Sequence, residues 1–229
     1  MFAKPNIFLP TLLAAFALSA VAASVASAQT PNQLHSGSGS GTTYLTAHGI
    51  NGVLHTGGAG NIKCATFSGK GSYAGTTAGT ATLEDVTYSG CTAFGLTMHF
   101  DMMGCDYLVT DNTATTGIVH IVCPTTAGGV KDEITVTPTQ GGVPVCHIDI
   151  PEQTVDINIA QDAGPPDHLT ITPTAAETLT YTSTYIPADH AKTKCGTQGT
   201  HHDGKLTGAI TVKAYSNALH VNQVSLTYP

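Results

Sequence analysis

From Tyr44 onward the chain alternates apolar and polar residues in short runs broken by glycine and proline, and this period of two limits it to strands. The pattern is clearest in "TATLEDVTYSG" (Thr80 to Gly90), "LTMHFDM" (Leu96 to Met102), "GIVHIVC" (Gly117 to Cys123), "TVDINIA" (Thr154 to Ala160) and "GKLTGAITVKAY" (Gly204 to Tyr215). Threonine, valine and isoleucine fill these runs, which is strand chemistry, and no amphipathic helical run competes with them. The runs recur about every 8 to 15 residues with turns between, so the expectation is an all-β antiparallel domain, sandwich-like or barrel-like.

Six cysteines are present: Cys64, Cys91, Cys105, Cys123, Cys146 and Cys195. Neither a C-x-x-C redox pair nor zinc-knuckle spacing occurs, so a structural role is expected. Folding the stretch 105–123 at its polar centre "DNTATT" sets Asp106 opposite Val122, Leu108 opposite His120 and Cys105 opposite Cys123. Opposed residues on antiparallel strands stand about 4.5 to 5.5 Å apart at Cα, within reach of a disulfide. The remaining pairs expected are Cys64 with Cys91 and Cys146 with Cys195, each joining neighbouring sets of strands.

The first 28 residues read as a secretory signal peptide, expected to be helical. Lys4 gives the positive start, Ile7 to Ala23 an apolar stretch, and Ala26-Ser27-Ala28 the cleavage signal. The apolar stretch is short for a membrane span of about 20 residues. No cysteine stands at the cleavage point to carry a lipid. Residues 29–43, rich in glycine and serine, read as a flexible linker, followed by one β-rich domain over 44–229, with a division into two lobes near 125–130 as an alternative.

All eight basic residues are lysines, against 15 Asp and Glu, for a net charge of −7. No basic cluster exists, which argues against nucleic acid and anionic membranes as partners, and no second apolar stretch could span a membrane after signal cleavage. The sequence expects no cofactor.

Among 11 histidines, two strands carry His-x-Asp: His99 with Asp101, and His147 with Asp149. Residues two apart on a strand share a face, so four metal ligands could converge if the two strands were neighbours. "HHDG", His201 to Gly204, reads as a loop. Asp101 and Asp106 could serve as a carboxylate pair. Tyr107, Tyr181, Tyr185 and Tyr215 could pack on a ligand ring, although the bland reading makes each a half-buried strand residue. "GKGSYAGTTAG", Gly69 to Gly79, reads as a flexible loop or a loose edge strand. No catalytic signature such as G-x-S-x-G or H-E-x-x-H is present, and no catalytic residue is assigned.

The segments "VTYSGCTAF", "GCDYLV", "IVCP" and "CHIDIPEQ", with a later "YTSTY", "KCG" and "GKLTGAITV", resemble a group of uncharacterised secreted proteins of high-GC Gram-positive (actinobacterial) soil bacteria. The resemblance implies export, disulfides and β structure and brings no activity. The functional expectation is a secreted, non-enzymatic binding or structural module for an extracellular ligand or cell-surface component. The alternative is a secreted hydrolase or metal-dependent enzyme using the His/Asp groups.

Overall fold

A computed structural model describes residues 33–39, 41–57, 60–93, 95–164, 166–186 and 196–228. The signal peptide expected over 1–28 lies outside them. The described chain is all-β: β1 (Leu34–Ser36), β2 (Thr42–Thr56), β3 (Gly60–Ala74), β4 (Thr77–Ala78), β5 (Thr80–Ser89) and β6 (Cys91–Ala93) come first. Next are β7 (Leu96–Asp101), β8 (Asp106–Thr113), β9 (Thr116–Val122), β10 (Ile134–Gln140), β11 (Val143–Pro144) and β12 (Cys146–Ile150). The last are β13 (Thr154–Asp162), β14 (His168–Pro173), β15 (Leu179–Tyr185), β16 (Gly199–Tyr215), β17 (Gln223–Val224) and β18 (Leu226–Thr227).

The longest strands organise the fold. β2 lies between β3 and β16 and pairs with both along nearly its whole length, forming an antiparallel ribbon. The far edge of β16 pairs first with β15 and then with β14. The far edge of β3 divides in the same way between β6 and β5. Two closed circuits of hydrogen bonds result. The first ring runs from the ribbon through β15, β12, β10, β7 and β6 back to β3, and the β10–β7 pairing completes it. The second runs through β14, β13, β9, β8 and β5. Closure leaves few open strand edges, which would otherwise invite pairing with other chains.

The chain alternates between the rings: β5 in the second, β6 and β7 in the first, β8 and β9 in the second, β10 and β12 in the first, β13 and β14 in the second. The turn around 125–130 is one such passage. The rings are therefore interleaved in sequence, not consecutive lobes.

Burial shows how one ribbon serves both rings. Beside the second ring, β2 turns Thr43, Leu45 and Ala47 inward, and β3 turns Phe67 and Tyr73 inward. Beside the first, the inward residues are Leu54 and Thr56 in β2, Ile62 and Cys64 in β3. The parity changes in both strands although their register is unbroken, with Ile50 opposite Thr66 and Gly52 opposite Cys64. The ribbon thus buries one face in one ring and the opposite face in the other. Right-handed twist accumulated along long strands turns it over. At the crossover Ile50 is 60% exposed. There β16 also slips register against β2, between Thr207 and Ala209, with Gly208 at φ 123° and Asn51 at φ 54°.

A single apolar cluster runs through both rings, from Leu45, Val109 and Ile157 to Ile62, Ile134 and Ile148. Two bridges fasten it, Cys64–Cys91 between β3 and β6, and Cys105–Cys123 at the open end of the β8–β9 hairpin. That hairpin has the expected register, with Asp106 opposite Val122 and Leu108 opposite His120. Cys146 is also disulfide-bonded; Cys195, its expected partner, lies outside the described residues.

Three segments differ from the sequence reading. Inside the stretch read as linker, Leu34–Ser36 forms β1 of a small sheet with β18 and β4, because Leu34 reaches the core. Gly69–Ala74, read as loop or loose edge, belongs to the central ribbon. His201 to Gly204 is strand, the start of β16 paired with β15. Among the described residues no helix is long and apolar enough to cross a membrane.

Candidate functional site

The two His-x-Asp strands are not neighbours. β10 lies between β7 and β12, so Thr137 stands opposite His99, and Thr135 stands opposite both Asp101 and Asp149. The threonines take up the polar atoms: Thr135 Oγ1 donates to Asp149 Oδ1 at 2.9 Å, and Thr137 Oγ1 lies 3.1 Å from His147 Nδ1. An intervening strand holds the two pairs about 9 to 10 Å apart. Among the described residues no group of three or more His, Cys, Asp or Glu could hold a metal ion.

The other sequence candidates are also dispersed. Asp101 accepts from the Met103 amide at 3.0 Å. Asp106 has its carboxyl held above the usual range by burial first and then by Glu84 and Asp85, with no contribution from Asp101. In β16, His201 lies against the Tyr181 ring at 4.9 Å, while Asp203 accepts the Tyr181 hydroxyl at 3.0 Å. Tyr185 donates to the Gly196 carbonyl at 2.5 Å, and Tyr215 packs edge-on against His220. These groups close strand pairs and loops.

An apolar concavity lies at the ribbon crossover among the described residues. An apolar cleft, part of it open to solvent, extends from Ile50 at the surface to Leu54, Ile62, Ile134 and Leu179 on the side of the first ring. Phe67, Tyr88, Tyr107 and Ile210 line it on the side of the second. The same aromatics line an adjoining chamber that enters the second ring among Leu83, Val109, Val155 and Ile171. Pockets for small ligands are mostly apolar with a few placed polar groups.

The crossover creates this space. Where the ribbon is edge-on, neither face supplies a large inward side chain, and Gly49, Gly52 and Gly208 leave the backbone bare. Gly208 is required twice over: φ 123° suits glycine alone, and an added Cβ would lie 3.1 Å from the Gly52 Cα.

Four aromatic rings form the inner wall. Phe67 from β3 meets Tyr88 edge-on at 5.2 Å and stacks parallel to Tyr107 at 6.3 Å, while Tyr88 stacks on Phe100 at 4.6 Å. Phe100 belongs to the first ring and the others to the second, so this stack joins the two interiors. The hydroxyls of Tyr88 and Tyr107 are 2.7 Å apart. Burial pushes Tyr88 up to about 12 against the opposing pull of that hydrogen bond. Tyr107 is held well above its ordinary value by burial first and then by Tyr88. Both are neutral phenols at physiological pH.

No charged side chain lines the cleft among the described residues. Thr66 pairs with Ser89 at 2.6 Å on the exposed side, and Thr207 is engaged by the Val53 carbonyl and His55. Cys64 is locked in its bridge. The lining can enclose an apolar body and address it with the tyrosine pair, and it offers no free thiol, acid or amine for covalent chemistry. The sequence reading singled out Tyr107 but not Phe67, Tyr88 or Phe100. The available signal was the slip in alternation at Gly49–Gly52 and at Ala65–Thr66, where a regular strand would have kept its phase.

Comparisons with protein-family models, with curated proteins and with solved structures found no match.

Proposed function

We propose that the protein is an exported, non-enzymatic binding module that holds a small apolar molecule in the cleft at the ribbon crossover. The observation that carries this reading is the cleft itself: a glycine-lined gap open at Ile50 and backed by four aromatic rings, with no charge in its wall. An apolar molecule entering it removes about 25 cal/mol from the free energy for each Å² of apolar surface taken from water. Export is supported by the leader sequence and by the disulfides, which persist in oxidising compartments. There the module would carry its ligand or present it to a cell-surface component.

Titration with N-phenyl-1-naphthylamine, a neutral probe that brightens in apolar surroundings, tests the reading. Saturable binding is expected. Leu206→Trp, which fills the cleft, should abolish it while leaving the far-ultraviolet circular dichroism unchanged. No saturable enhancement, or equal binding by Leu206→Trp, would overturn it.

A further inference from the structure

We infer that the ligand of this cleft is a neutral molecule with an apolar body and one hydrogen-bond-accepting oxygen, a ketone, ester or alcohol, and that Tyr88 and Tyr107 read that oxygen. The inference rests on the binding reading above and specifies its chemistry.

The argument is a count of hydrogens. Two phenols carry two O–H donors, and their mutual bond uses one. Neither hydroxyl has another hydrogen-bond partner among the described residues, and both tyrosines are half-buried in the lining of the cleft. A ligand that fills the cleft displaces the water that reaches the spare hydrogen, and a donor left unmade beneath it is costly. The other hydroxyls of the lining are engaged on the exposed side. The cleft therefore holds one unused donor in an otherwise apolar wall.

The same wall rejects other classes. A carboxylate or phosphate would enter a site with no lysine or histidine in its lining, in a chain of net charge −7 without arginine. Burying such a charge unpaired is prohibitive. A sugar would bring many hydroxyls to a single donor. A plain hydrocarbon fits by shape but leaves the phenol unsatisfied.

The test is displacement of N-phenyl-1-naphthylamine at pH 8 by octane, 2-octanone, 1-octanol and octanoate. It is run on the native protein and on Tyr88→Phe, Tyr107→Phe and the double variant, which keep the rings. The ketone and the alcohol should bind about 3- to 10-fold more tightly than octane, the range of one net hydrogen bond, and octanoate should bind most weakly. In the double variant the ketone should lose its advantage and bind no more tightly than octane, while octane, which no longer leaves a phenol unsatisfied, should bind at least as tightly as to the native protein. Equal affinity of ketone and octane in the native protein, or preferred binding of octanoate, would overturn the inference and leave the apolar binding site standing. Failure of every compound and of the probe to bind would overturn both.

Discussion

The seam between β3 and β6 should be the point at which the first ring depends on sulfur. A single register pair, Lys63 opposite Thr92, joins the two strands, and Cys64–Cys91 lies beside it. The bridge spans 27 residues, and the loop-entropy model gives about 3.5 kcal/mol for cross-linking a loop of that length. Cys64 and Cys91 are 6% and 2% exposed, so replacing both with alanine also leaves a small void, adding about 1 kcal/mol. With a guanidinium slope of about 4 to 5 kcal/mol per molar, the double variant should unfold at a midpoint about 1 M lower. Hydrogen exchange should show the loss first in β6 and β7, whose amides would exchange through local opening while β8 and β9, held by Cys105–Cys123, keep their protection. A midpoint shift below about 0.2 M, or protection lost evenly over all strands, would refute the argument that this bridge substitutes for a hydrogen-bonded ladder.

Two further outcomes follow from local chemistry. Burial raises the Asp111 carboxyl to about 6, and its Oδ2 is buried without a hydrogen-bond partner among the described residues, in the neighbourhood of Tyr228, itself pushed up to about 12 by burial and then by Asp111. A raised acid binds its proton more tightly in the folded state, so stability should decline as pH rises from about 4 to about 6 and then level. Because the carboxyl is partly solvated, the expected decline is about 1 kcal/mol, well below the full linkage value. Asp111→Asn should flatten that part of a urea-melt pH profile, and parallel profiles would sink the assignment. At the crossover, Gly208→Ala forces a side chain into φ 123° and against Gly52, and should lower stability by about 1 to 3 kcal/mol in thermal unfolding. Gly52→Ala, whose added carbon would find only the Thr207 carbonyl at 4.0 Å, should cost less than 1 kcal/mol; equal losses would contradict the strain argument.

Strand identity was legible because alternation is local. The β8–β9 register followed from a turn and two cysteines within one hairpin, and the structure reproduces it pair by pair. What escaped was set at a distance. β3 carries glycine at 69 and 71, which reads as loop until one sees that neighbouring backbone and side chains fill the space. An added Cβ at Gly71 would fall 2.0 Å from the Thr82 carbonyl, a close approach that no sequence window contains. The His-x-Asp pairs were legible as a shared face but not as separated by β10, because strand order is not encoded in strand periodicity. The cleft was hidden for a related reason: Phe67, Tyr88, Phe100 and Tyr107 come from four strands of two rings.

The weaving of the backbone between the two circuits has a consequence for how such a molecule is made and inherited. Cutting at any one connection between β2 and β16 leaves each circuit missing strands held by the other fragment, so neither part can close alone. The chain from β2 through β16 must be present before either wall is sealed, which makes assembly a matter of distant partners meeting. Recombination that trades one half for a foreign segment would trade away both.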